Sequence, residues 1–177
     1  MANTTFSGPV RSKNGFQSIG PGAVVALTAA TNLTVADHAG RLLTMDPVGT
    51  PTAITLPTIN ATADSAVAGA SDPNNPNTIG TTFEILFIDE FTGTISTDGT
   101  DKFVGSVMVG VDDGSKKAFV PAAANDVVNL NGEAGAGNAT KGGLIGSRIK
   151  FTATADNTYM VEGLLIGDGT IVTPFGN

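Results

Sequence analysis

The 177-residue chain reads as an all-β protein, an antiparallel β-sandwich or barrel of jelly-roll-like form behind an extended N-terminal arm. Three observations predict it. Short apolar segments recur along the chain, separated by Gly, Asp and Asn clusters that make turns. Thr, Val, Ile and 23 Gly outweigh the Lys, Glu and Arg that helices favour. No helix-length amphipathic stripe occurs; Ala61 to Ala70 comes nearest and does not sustain one.

Residues 1–22 form the arm and residues 23–177 the sandwich domain. The arm holds Arg11 and Lys13, no acid, and glycines and prolines that block a helix or a long strand. Phe6, Val10, Phe16 and Ile19 make it too apolar for a solvated linker. Fully extended, at about 3.3 Å per residue, it reaches ~70 Å, more than the domain spans. Two readings stand: an arm ordered on a partner, or one packed on its own domain.

From Ala23 onward the elements follow in order. Val24 to Thr28 is a strand ending at a Thr31-Asn32 turn, and Arg41 to Met45 ends at Asp46-Pro47. Ala53 to Leu56 stops at Pro57. Thr81 to Ile88 sets Phe83, Ile85 and Phe87 on one face and Leu86 and Ile88 on the other, the pattern of a central or doubly covered strand. Turns at Gly93, Asp98-Gly99 and Asp112-Asp113-Gly114 bracket strands at Thr94 to Thr97, Phe103 to Val111 and Ala118 to Val120. Asp126 to Leu130 adds another. In Ser147 to Thr154, Ile149, Phe151 and Ala153 alternate with polar residues, a half-buried strand. Asp156-Asn157 turns it into a partner carrying Tyr159, Val161 and Gly163 on one face and Met160, Glu162 and Leu164 on the other. A last strand is expected at Thr170 to Thr173. Two loops separate these elements, Ala61 to Asn77 and the glycine-rich 131–143.

The search for chemistry yields turns rather than sites. His38, the single histidine, follows Asp37, but neighbours on an extended chain point apart and no G-x-S-x-G occurs, so a turn residue is expected. With one His and no Cys, no transition-metal site is expected. Carboxylates cluster at Asp89-Glu90, Asp98 with Asp101, and Asp112-Asp113, where calcium or glycoside hydrolysis is conceivable. The D-x-D-x-D-G loop is absent and Phe91, Phe103 and Tyr159 are a thin aromatic supply for sugars, so hairpin turns are expected. Gly132 to Gly137 lacks Rossmann spacing, and Lys141 lacks its Walker partners; a flexible loop is the reading. The basic residues Lys116, Lys117, Arg148 and Lys150 lack aromatic interleaving in a chain of net charge −7, which argues against nucleic acid. No apolar run nears the ~20 residues of a spanning helix, and the N-terminus has no signal-like apolar stretch. No catalytic residue, cofactor or metal is assigned.

Several stretches carry a family likeness. Thr5-Phe6-Ser7-Gly8-Pro9-Val10-Arg11-Ser12-Lys13-Asn14-Gly15-Phe16 resembles the start of virion proteins of tailed phages, notably marine and cyanobacterial ones. Leu33 to Arg41 with Ile54-Thr55-Leu56-Pro57 looks like a β module of phage decoration and fibre proteins, and Gly80-Thr81-Thr82-Phe83 fits the Gly-x-x-Phe strand expected later in it. Gly167 to Phe175 is also similar. Where the family's penultimate strand often has a Trp, this chain has Tyr159 or Met160. The resemblance implies a head decoration (cement) protein on the outer capsid surface of a virion. It would clamp neighbouring major capsid protein subunits and itself form a homotrimer, with no enzymatic activity, nucleic acid or membrane involved. In that role Phe6, Val10 and Phe16 would anchor the arm on a capsid edge while Arg11 and Lys13 pair with acids there. The alternative is a tail, fibre or baseplate adaptor that binds another virion protein or a cell-surface glycan. A polysaccharide depolymerase is the enzymatic rival.

Overall fold

The computed structural model describes residues 21–46, 52–61, 77–111, 114–133 and 137–177. The arm residues Phe6, Val10, Arg11, Lys13 and Phe16, most of the Ala61 to Asn77 loop, and Asp112-Asp113 lie outside them. After a 3-10 turn at Pro21–Ala23, the strands are β1 (Val24–Leu27), β2 (Thr31–Asn32), β3 (Leu42–Met45), β4 (Thr52–Thr55), β5 (Thr82–Phe87) and β6 (Thr92–Ser96). There follow β7 (Lys102–Gly110), β8 (Lys116–Phe119), β9 (Val127–Asn131), β10 (Arg148–Ala155), β11 (Thr158–Ile166) and β12 (Phe175–Gly176). One four-residue helix, α1 (Val35–His38), lies between β2 and β3.

These strands build two packed sheets, a seven-stranded one ordered β1-β3-β5-β10-β11-β7-β8 and a five-stranded one ordered β12-β9-β6-β4-β2. The expected all-β sandwich is present, but it is mixed rather than antiparallel. From β1 to β6 the chain crosses between the sheets at every step, odd strands in one and even strands in the other. Each return to a sheet lays a strand beside the previous one in the same direction, so β1, β3 and β5 run parallel, as do β2, β4 and β6. Parallel neighbours need a crossover, and here a strand of the opposite sheet supplies it. Antiparallel pairing holds where hairpins or returns dominate: β10 with β5 and β11, β7 with β8, and β9 with β6 and β12. Alternation in the sequence reports which face a residue occupies, not which strand lies beside it.

The strand boundaries agree with expectation to within a few residues, with three exceptions. Thr31-Asn32 is a strand pairing with Ile54 and Thr55, not a turn. Thr170 to Thr173 is not a strand; the last pairing comes at Phe175 and Gly176 against β9. Gly93, expected as a turn, lies within β6 opposite Leu130. β5 is central, between β3 and β10, as expected; its Phe83, Ile85 and Phe87 are buried, Leu86 is partly buried, and Ile88 just past its end is exposed.

The core lies between the sheets. Phe83, Phe151 and Val161 sit in register across β5, β10 and β11, and Ala153, Tyr159 and Phe103 form the next row. Ile54, Leu56, Ile95, Val128 and Leu130 meet them from the smaller sheet's side. The Phe103 and Phe151 rings stand 5.4 Å apart, tilted, as do Phe87 and Phe91 at 5.6 Å. Truncating one such ring to alanine costs about 3–5 kcal/mol by general precedent. Gly105 completes the first row beside Val161. Its φ of +111° is outside the range side chains tolerate, and a Cβ there would collide with the Val161 carbonyl oxygen. Gly105→Ala is therefore expected to lower stability by about 1–3 kcal/mol or more. Urea unfolding checks this, and an unchanged midpoint would show that β7 can shift away from β11 without cost.

Candidate functional site

The acids read from the sequence as a possible site, Asp98 and Asp101, occupy the turn from β6 to β7. This turn meets the segment leaving β4. The Asp98 carboxylate accepts from the Thr58 hydroxyl at 2.7 Å and from the Thr100 and Asp101 N–H groups at 2.9 and 3.2 Å. Asp101 is fully buried; one oxygen accepts the Ile59 N–H at 2.9 Å and the other has no partner. The Thr97 hydroxyl donates to the Asp101 carbonyl at 2.7 Å, and the Tyr159 hydroxyl donates to the Pro57 carbonyl at 2.8 Å. The corner thus joins three chain segments through side chains.

Electrostatics follow from this placement. Burial, first, raises the Asp101 carboxyl above its ordinary range; the Ile59 N–H opposes this, the charges of Asp98 and Asp156 add to it, and Lys102 opposes it. Asp98 is held below its ordinary range: burial works against this, but the bonds from Thr58, Thr100 and Asp101 outweigh it. Burial, then the Asp101 and Asp98 charges, push the Tyr159 hydroxyl up. Among the described residues no group of three or more His, Asp or Glu is placed to hold a metal ion. The corner's chemistry is that of a fastener.

The other candidates resolve in the same way. Asp37 and His38 lie on α1, not on an extended chain, and both turn back to its cap. The Thr34 hydroxyl donates to Asp37 at 2.9 Å and the Thr34 N–H to His38 Nδ1 at 3.0 Å. Asp89 accepts the Glu90 N–H at 2.8 Å within the β5–β6 turn. Phe91, Phe103 and Tyr159 are buried, so none of these rings can serve as a sugar platform.

The glycine-rich segment is hydrogen-bonded at both described ends, and residues 134–136 of the expected flexible loop lie outside the described residues. Asn131 donates to the Asn138 carbonyl at 2.6 Å and to Thr140 at 3.1 Å, and accepts the Lys141 N–H at 2.7 Å. Asp168 accepts the Gly137 N–H at 2.9 Å. The glycines serve contact between backbones: a Cβ on Gly143 or Gly132 would strike the Phe91 carbonyl oxygen.

Two open grooves lie on the seven-stranded sheet's side. One, of about 620 Å³, runs between β8 and the segment after β11, lined by Ser115, Lys116, Lys117, Asp168, Thr170 and Ile171 among others. The second, of about 420 Å³, lies on the outer face between β10 and β11, bordered by Arg148, Lys150, Glu162 and Leu164. Across that face Glu84, Lys150 and Glu162 stand in one row of β5, β10 and β11. Arg148 is ion-paired with Glu84, and Lys150 with Glu162 at 3.0 Å. Beside them Leu86, Arg148, Leu164 and Met108 form the next row. The strand alternation around Met160 and Leu164 was legible, but the gathering of Val104, Met108 and Leu164 on one face was not. It depends on β7 lying parallel beside β11, a pairing between distant segments. The chain matched no protein-family model, no curated protein and no solved structure.

Two outcomes are expected. A carboxyl raised in the folded state supports folding most at low pH, and that support is lost as pH climbs from the ordinary value of 3.8 through the folded one. Asp101→Asn removes this loss, so the melting temperature of the variant relative to wild type should be higher at about pH 7 than at about pH 4. A difference independent of pH would show that Asp101 titrates normally. Asn131→Ala should cost about 1–3 kcal/mol and speed amide exchange at residues 138–142, read by exchange mass spectrometry.

Proposed function

We propose that this protein is a virion structural protein, a capsid decoration or cement protein. In this reading it binds the outer surface of a phage head, bridges major capsid protein subunits and associates with itself. The observation that carries the reading is the use made of the polar clusters together with the character of the outer sheet face. Asp98, Asp101, Asn131 and Asp168 are all engaged in bonds that fasten the fold, whereas the seven-stranded sheet turns Val104, Met108 and Leu164 outward. Contact area, not a reaction centre, is what this arrangement offers a partner. The resemblance of the arm and β module to phage decoration proteins supplies the kind of partner.

Cementing requires many modest contacts spread over several subunits. The arm adds Phe6, Val10 and Phe16 as apolar anchors and Arg11 and Lys13 as cations for an acidic edge. Each anchor contributes about 2 kcal/mol before ordering costs, and attachment at several points multiplies the affinity. The second reading, a tail, fibre or baseplate adaptor, is favoured by the polar-lined groove beside Lys116 and Lys117, which suits a glycan.

The two are separated by adding purified protein to heads that lack it. Wild type is expected to bind saturably and raise the melting temperature of the heads. The full-length variant carrying Phe6→Ala, Phe16→Ala, Arg11→Glu and Lys13→Glu should keep its circular dichroism and bind at least about tenfold more weakly. Wild type that ignores heads but binds tails or cell-surface glycan would favour the adaptor.

A further inference from the structure

We propose that the outer face of the seven-stranded sheet is where a second copy of this chain docks, around a twofold axis running along the strands between β10 and β11. The inference deepens the self-association in the proposed role and rests on it, with a pair of chains in place of the homotrimer that the resemblance implies. The first argument is exposure: Val104, Met108 and Leu164 are 46, 43 and 51 % exposed, and lie on adjacent strands of one face. β5 moreover carries apolar residues on both faces, and among the described residues its Leu86 is only partly buried.

Charge names the occupant. Copies of a chain with net charge −7 repel one another over most of their surface. This face bears Arg148 and Lys150 paired with Glu84 and Glu162, and so permits close approach. Its pattern is also complementary to itself. A twofold along the strands keeps each row facing its own row and exchanges β10 with β11, and β5 with β7. Strands about 4.8 Å apart in two sheets about 10 Å apart then set Lys150 over Glu162 of the second copy, and Glu162 over its Lys150. In the neighbouring row Met108 falls over Leu86, and the Arg148 stem lies along Leu164. Every contact occurs twice, as a closed pair requires.

The test is sedimentation of the full-length chain. Wild type is expected to run as two chains, twice 17.7 kDa. Lys150→Glu and Glu162→Lys should each raise the dissociation constant about tenfold or more, through like charges facing across the axis. Mixing the two variants should restore the pair, because each then meets the opposite charge. A wild-type monomer would overturn this proposal together with the self-association it rests on. An oligomer that ignores both substitutions, or one of three chains, would leave self-association standing and overturn this face and axis. Variants that dissociate but do not recover on mixing would trace the loss to the intramolecular Lys150–Glu162 pair and also overturn it. Retained wild-type monomers whose binding to heads is abolished by either substitution would assign the face to the shell instead.

Discussion

The central strands of the long sheet, β5, β10 and β11, turn alternate side chains into one shared apolar layer, and the rest of the structure depends on filling it. Phe83, Phe151 and Val161 line up across three strands, with Tyr159 and Phe103 in the row beside them. The Val161 carbonyl oxygen of β11 leaves no room for a side chain where β7 passes it, and Gly105 stands there in a conformation that suits glycine. The layer has only two sides. Side chains turned the other way, such as Val104, Met108 and Leu164, are exposed.

Polar groups fasten the ends of the sandwich beside buried loop residues such as Ile59 and Phe91. At one corner Asp98 and Asp101 hold the segment leaving β4 to the turn before β7, and Tyr159 reaches from the larger sheet to Pro57. Full burial of Asp101 with one oxygen unpaired opposes its ionisation, while the exposed Asp98 is stabilised by three donors. Two acids three residues apart thus have their titrations displaced in opposite directions from the ordinary value. At the β9 end, Asn131 and Asp168 do comparable work on glycine-rich backbone, accepting the N–H groups of Lys141 and Gly137.

With its polar clusters spent on closing the fold, the protein presents its most distinctive chemistry on a sheet face. Paired charges next to exposed Leu164 and Met108 form a surface that is neutral locally on a chain that is acidic as a whole. Such a face suits close association of acidic chains, which the proposed function uses. The arm, basic where the rest is acidic, is suited to a different and more acidic partner.

Much of this was legible in the amino acids alone. Ile149, Phe151 and Ala153 alternate with polar neighbours and do face the core, and most strands lie where turn residues bracket them. Local periods fix faces, because side chains alternate along any extended backbone. The acids at 98 and 101 were legible as turn residues; that Asp101 is buried under Ile59 was not, because the contact spans 42 positions of sequence. The same holds for the weave between sheets, which made neighbours parallel where hairpins alone would have made them antiparallel. By itself, then, the sequence determined an all-β chain, its strand positions and its inward residues, all of which are short-range properties of a backbone with period two. Only the tertiary structure decided which strands adjoin, that Asp101 loses water, and that Val104, Met108 and Leu164 share one open face. These follow from pairing between segments far apart in the chain, and no local pattern encodes such a pairing.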